Sequence, residues 1–204
     1  QDDPGSFYDV GDEQALYQES SGQVVMEAEN PMAVQPGTDN DKGPSNGDDM
    51  SGVTWSTVSD TDASGDTALV ASPAAGDRSA DDTENGERLD YYVDFSNSGD
   101  FYVWVRMKCP SNSDDGVHIG LNGTPMTYGA DGLDADATKQ CHEASGWVWV
   151  SHVGGSQLQI TVPSTGPHTL NVWMVDDGAS IDKVVMKTSN SPPTGEGPAE
   201  SSTS

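Results

Sequence analysis

Two carboxylates in Val25-Met26-Glu27-Ala28-Glu29-Asn30 stand two residues apart, and a third lies in Ile181-Asp182-Lys183-Val184-Val185 near the other end of the chain. Successive side chains of a β-strand alternate, so Glu27 and Glu29 fall on one face. Like charges that close repel unless something positive sits between them. A hard divalent cation is the simplest such group, and calcium takes oxygen ligands. If the last strand runs beside the first, Asp182 supplies the third carboxylate. The competing arrangement is a sheet-edge pair satisfied by Lys183 and backbone amides. The first expectation is a secreted β-sandwich stabilised by calcium (Ca2+) at Glu27, Glu29 and Asp182.

The elements that must position these groups read as all-β. Segments alternate with period two between clusters of Gly, Asn, Asp and Pro. Strands are expected at Gln23–Glu29, Thr54–Val58, Ala68–Ala71, Leu89–Phe95, Gly99–Lys108, Gly116–Leu121, Gly146–His152, Gln157–Val162, Gly166–Val175 and Ser180–Lys187. With the last strand beside the first, they imply a jelly-roll β-sandwich of two antiparallel sheets. Phe101, Val103, Val105 and Met107 form one uniformly apolar face, which turns Tyr102, Trp104 and Arg106 away from the core. By the same alternation His118, Asn171 and Trp173 point outward, while Val117, Ile119, Leu121, Leu170, Val172 and Met174 point inward. Large aromatics on a non-core face mark a contact surface. Tyr102, Trp104, Arg106, His118, Asn171 and Trp173, with Trp147 or Trp149 at the rim, are the candidate ligand-binding set. Two readings stand for it: a stacking platform for sugar rings, or a face covered by tails and long loops.

Composition limits the partners. Acidic residues number 34 against 8 basic ones, for a formal charge of −26 in 204 residues. Phosphate binding needs a basic surface, so nucleic acid is excluded as a partner, and an anionic membrane surface is disfavoured. Such a charge suits high ionic strength or specific cation binding. No apolar run of about 18 residues exists to insert into a membrane. Starting at Gln1, the chain reads as a mature secreted product or an excised fragment, extracellular or at a bacterial cell surface.

Residues 1–22 are polar and acidic and read as an extension or linker, and residues 189–204 as a Pro/Gly/Ser-rich linker or arm. The sandwich occupies 23–188. Cys109 and Cys141 lack any zinc-ligand spacing, and the expectation is one disulfide pinning a long loop in an oxidising compartment. Asp60-Thr61-Asp62, Asp114-Asp115, Asp131–Asp136 and Asp176-Asp177 are further acidic turns, but none completes an EF-hand. No catalytic residue is assigned: the GxSxG elbow and HExxH helix are missing, and His118, His142, His152 and His168 are scattered.

VVMEAEN, ERLDYYVDFSNSGDFYVWVRMKCPSNSDDGVHIGLNG, GWVWVS, GPHTLNVWMVDDGASIDKVVMKTSN and PPTGEGPAES together resemble one domain type. It is the carbohydrate-binding-module-like β-sandwich related to family 6 and family 35 modules, including the C-terminal domains of family 115 glycoside hydrolases. The resemblance spans about residues 23–200. It implies a structural calcium ion where first and last strands meet, matching Glu27, Glu29 and Asp182. It also implies sugar binding in a loop pocket or on a concave sheet face. Two segments depart from that pattern, the acidic loop Asp131–Glu143 and the charged Asn40–Asp49. The expected function is non-catalytic binding of a polysaccharide or glycan. The alternative is a calcium-dependent, self-assembling extracellular subunit in which a tail adds to the sheet edge of another copy.

Overall fold

Alternation along the chain becomes two facing sheets. The structure, a computed structural model, describes residues 14–37, 50, 52–74, 86–126, 134–136, 139–153 and 155–204. Its strands begin with β1 (Tyr17–Gln18), β2 (Gln23–Glu27), β3 (Ala33–Gln35), β4 (Thr54–Ser59), β5 (Thr67–Ser72) and β6 (Arg88–Phe95). Then come β7 (Gly99–Lys108), β8 (Val117–Leu121), β9 (Thr124–Pro125), β10 (Asp134–Asp136), β11 (Lys139–Gln140) and β12 (Val148–Val150). The last are β13 (His152–Val153), β14 (Ser156–Gln157), β15 (Gln159–Val162), β16 (Gly166–Met174) and β17 (Ser180–Lys187).

One sheet runs β1–β6–β16–β8–β9, with β3 also on β6. The other runs β12–β7–β17–β5–β4, with β15 also on β7 and β2 on β17. This is the expected jelly-roll sandwich. A small third sheet, β11–β10–β13–β14, was not expected, because strands of two or three residues are too short to show alternation. Every pairing is antiparallel except β1 with β6.

The inward faces carry the core. Val24, Met26, Phe101, Val103, Val105, Met107, Val184 and Met186 meet Leu89, Tyr91, Val93, Phe95, Ile119, Leu170 and Val172. Phe95 and Phe101 pack edge to face at 5.3 Å between ring centroids. Each such side chain contributes about 1.5–3 kcal/mol on burial. β2 and β17 lie side by side, with Lys183 opposite Glu27 and Val184 opposite Met26. Against β7, Ile181 pairs with Met107 and Lys183 with Arg106, which leaves Asp182 as the extra residue of a bulge. The added residue reverses the alternation. Ile181, Val184 and Met186 therefore face the core while Val185 turns outward.

Residues 14–22 and the C-terminal arm pack onto the sandwich. Tyr17 is 2% exposed within the core. The buried Glu19 carboxylate accepts hydrogen bonds from Gly22 N (2.6 Å), Ser96 Oγ (2.6 Å) and Asn97 N (2.9 Å), tying residues 14–22 to the turn between β6 and β7. At the other end Ser201 N donates to Val25 O at 2.9 Å, and Leu16 and Ser204 exchange backbone hydrogen bonds. Residues 201–204 thus run from the free edge of β2 to β1 and join the two sheets. These segments have little apolar mass, but backbone amides pair whatever the side chain. Cys109 and Cys141 form the expected disulfide. Among the described residues no helix is long and apolar enough to cross a membrane.

Candidate functional site

β6 and β16 pair with Asp90 opposite Asn171 and Tyr92 opposite Thr169, so these side chains share the outer face of their sheet. β8 lies on the other side of β16 and ends in the Asn122-Gly123 hairpin turn. Both turn residues have positive φ, 53° and 77°, as a two-residue type I′ connection requires. Together with Gln14, Gln35 and Arg88 they enclose an open groove of about 660 Å³. A side chamber of about 230 Å³ continues past Tyr92 to Leu16, Pro167 and His168.

The polar groups of the groove are held before any ligand arrives. Arg88 grips Asp90 with Nε at 2.7 Å and its second nitrogen at 2.9 Å, a two-point pairing. Asn171 Nδ2 donates to the same carboxylate at 2.6 Å, and Asn171 Oδ1 accepts from Gly123 N at 2.7 Å. The guanidinium lies over the Trp173 ring, 5.7 Å from its centroid. At the far end the carbonyl of Ser164 accepts only, so His168 Nε2 carries the proton in their 2.9 Å contact. His168 Nδ1 then accepts from Asn122 Nδ2, also at 2.9 Å. Tyr92 is half-buried and is the aromatic side chain that lines the groove. Amide, guanidinium and phenol groups around one aromatic ring suit a polyhydroxylated ligand.

The candidate set read from the sequence does not form one surface. Tyr102, Trp104 and Arg106 belong to β7, whereas His118, Asn171 and Trp173 belong to β8 and β16 in the other sheet. Nor are its tryptophans accessible. Trp104 and Trp173 are each 4% exposed, and His118, Asn171 and Arg106 are buried. Trp104 packs with Val25 and Val185, flanked by Tyr102 and Trp149. Trp147 stands 5.6 Å from the Arg106 guanidinium, and its Nε1 donates to Asp60 at 3.3 Å. Of the six, Asn171 lines the groove. Arg88, Asp90 and Tyr92 were missed, although Arg88-Leu89-Asp90-Tyr91-Tyr92-Val93-Asp94-Phe95 carries the alternation that places them outside.

The carboxylates at the β2–β17 junction form a second constellation. β2 stops at Glu27, so Glu29 sits in the following turn rather than on a continued strand. Lys183 Nζ pairs with Glu27 Oε1 at 3.0 Å, and Arg106 pairs with Asp182 Oδ2 at 2.7 Å. Ser64 donates to both acids, through Oγ to Glu27 (2.9 Å) and through N to Asp182 (2.8 Å). Glu27 Oε2 and Glu29 Oε2 are buried with no hydrogen-bond partner. Burial, together with the charges of Glu27, Asp182 and Glu200, pushes Glu29 up to about 7. Burial also raises Glu27 and Asp182. As the side chains stand, no three His, Cys, Asp or Glu groups among the described residues converge tightly enough to hold a metal ion. The donors are nonetheless all hard oxygens, and two of them are orphaned, which fits a hard divalent cation.

The acidic turns at Asp60 and Asp115 are engaged elsewhere. Asp60 pairs with Lys108 at 2.7 Å, and Asp115 contacts both His142 and, through its backbone, Asp176. Of the two departing segments, residues 40–49, 131–133 and 137–138 lie outside the described residues.

Comparison with known proteins follows this geometry. The family model of the glycosyl hydrolase family 115 C-terminal domain matches residues 16–200. Uncharacterized protein P23 of Formosa agariphila is 33% identical over 119 residues, which is 54% of this chain and 27% of P23. A Podospora anserina GH26-CBM35 β-(1,4)-mannanase superposes with a TM-score of 0.51 at 12% identity, over 85% of this chain and 29% of that one. A family 35 carbohydrate binding module from Clostridium thermocellum gives 0.50 at 12% identity, over 81% of this chain and 98% of the module. At that identity the two structures share the fold. The chain thus spans about a quarter of P23 and less than a third of the mannanase.

Proposed function

The chain belongs to the glycosyl hydrolase family 115 C-terminal domain family, and on that footing we propose that it is a non-catalytic module that binds polysaccharide in the groove over β6, β16 and β8. The observation that carries this reading is the pre-set polar network of Arg88, Asp90 and Asn171 beside Tyr92 in an open groove of about 660 Å³. Sugar C–H faces pack on an aromatic ring, and hydroxyls find donors and acceptors already fixed in place. Fixed groups lower the ordering cost of binding, but a shallow site buries little area, so association is weak. Asp90 neutralises Arg88, and the chain carries −26, so the ligand is a neutral glycan. The test is titration with neutral oligosaccharides of plant and algal walls, followed by amide chemical shifts. Shifts confined to Tyr92, Asn122 and Asn171 support the groove. Shifts elsewhere, or none with any glycan, overturn it.

A calcium ion held by Glu27, Glu29 and Asp182 stabilises the module in the same proposal, supported by the two orphaned carboxylate oxygens. It would neutralise the junction of first and last strands. The disulfide supports secretion to a bacterial exterior. The self-assembly alternative is less well supported, since residues 200 and 201 of the same chain occupy the β2 edge that another copy's tail would need. Light scattering in calcium and in EGTA tests it: particles that dissolve in EGTA would revive the alternative.

A further inference from the structure

The C-terminal segment reaches the carboxylate cluster through one side chain. Glu200 Oε1 accepts from the Tyr17 hydroxyl at 2.6 Å and from Glu27 N at 3.1 Å, and Asn30 Nδ2 donates to both of its oxygens at 3.2 and 3.1 Å. It therefore grips both ends of the Glu27–Asn30 segment that carries two of the proposed calcium ligands. The rest of the strap lies across the outer face of β2, β17 and β7. Lys183 Nζ donates to Pro198 O at 3.0 Å, and Trp149 Nε1 donates to Gly195 O at 3.1 Å. At Gly197, with φ of 80°, a Cβ would stand 2.5 Å from the Trp149 ring. Only glycine lets the strap lie this close.

The charges in this cluster do not balance. With every carboxyl ionised, Glu27, Glu29, Asp182 and Glu200 bring four negative charges, and Lys183 and Arg106 bring two positive ones. One divalent ion supplies the difference. We propose that Glu200 is a positioning residue of the calcium site, so that ion binding and docking of the C-terminal strap are one linked equilibrium. This rests on the calcium reading above and goes beyond it, because it assigns the terminal segment an ion-dependent state. Linkage is reciprocal: the docked strap raises calcium affinity, and calcium raises the docked fraction. Loss of the ion leaves four carboxylates facing two cations, and the strap is the part free to leave. Its departure uncovers Trp149 and the β2 edge.

The experiment uses the full chain. Calcium affinity is measured by calorimetry for the wild type, Glu200→Gln and Gly197→Ala, and amide exchange at Ser201 is followed in calcium and in EGTA. Ser201 N donates to Val25 O, so its protection reports docking. Glu200→Gln is expected to weaken calcium binding about fivefold or more, the lower end of a typical coupling. Gly197→Ala changes no charge and sets its Cβ against the Trp149 ring, 3.7 Å from Lys183 Cδ, yet it must also weaken calcium binding, because it lifts the strap. Ser201 must exchange faster in EGTA. Equal calcium affinity in all three proteins, or Ser201 exchange indifferent to calcium, overturns the coupling and leaves the calcium site standing. A wild type that binds no calcium overturns both.

Discussion

On the sheet built around β7 and β17, the outward side chains Val25, Trp104 and Val185 form a small second core, roofed by Trp149 and the C-terminal strap. On the sheet built around β6 and β16, the outward side chains Arg88, Asp90, Tyr92 and Asn171 line an open groove. Both faces begin from the same alternation, and both bury a tryptophan to 4% exposure. They differ in what lies on top. The first is covered by a strap of the chain itself, held by backbone hydrogen bonds to a free strand edge. On the second, Arg88 lies over Trp173 and lines the open groove. An outward-facing aromatic therefore does structural work on one face and lies beneath the proposed binding groove on the other.

The sharpest way to break this contrast is Trp104→Ala. It removes a filled indole from beneath the strap and should cost about 3–5 kcal/mol in a denaturant titration, with glycan affinity of the folded fraction unchanged. A stable variant that loses glycan binding would reverse the roles of the two faces. Next in size is ion removal. At a calcium concentration of a hundred Kd, the folded state gains about 2.7 kcal/mol, so EGTA should lower the thermal midpoint. An unchanged midpoint counts decisively against the ion. The covered face alone should feel the change.

Glu19 provides a control away from both faces. Burial acts to raise its pKa, but hydrogen bonds from Ser96, Asn97 and Gly22 prevail and hold it below the usual value of 4.5. A depressed carboxylate stabilises the fold above its unfolded pKa, and that contribution is lost as pH falls through the folded value. Glu19→Gln should therefore destabilise by about 1–3 kcal/mol at neutral pH, with the gap to wild type narrowing in acid. A gap that widens in acid would contradict the sign. The smallest effect on stability belongs to Tyr92→Ala, within about 0.5 kcal/mol. Its Kd for glycan should nonetheless rise about tenfold, equivalent to about 1.4 kcal/mol. Unchanged affinity would move the binding site off the groove.

Much of the site was legible, though unevenly. The meeting of Glu27 with the Asp182 region followed from the first and last strands, and the structure pairs Lys183 with Glu27. That Lys183 and Arg106 would reach into the carboxylates was only partly visible. The spacing offers Lys183 as a partner, but alternation alone groups Arg106 with the outward aromatics Tyr102 and Trp104. The bulge at Asp182 explains the difference, since it shifts the phase of β17 against β7 and brings Asp182 to Arg106. Tyr92 could have been found by carrying the period-two reading one strand further. Glu200 could not, because its segment has no periodicity and its charge is one of 34 acids.

The sequence by itself determined the all-β class, the main strands, the inward faces of β7, β8 and β16 and, with two cysteines in the chain, the disulfide. Those features rest on local spacing: alternation needs only the next residue but one. Tertiary structure alone decided which outward faces are covered, which carboxylates share cations and where a groove stays open. Such choices depend on groups far apart in sequence, as when Ser201 N donates to Val25 O across a separation of 176 residues. No local pattern encodes a contact of that span, because the backbone atoms that make it are the same in every residue.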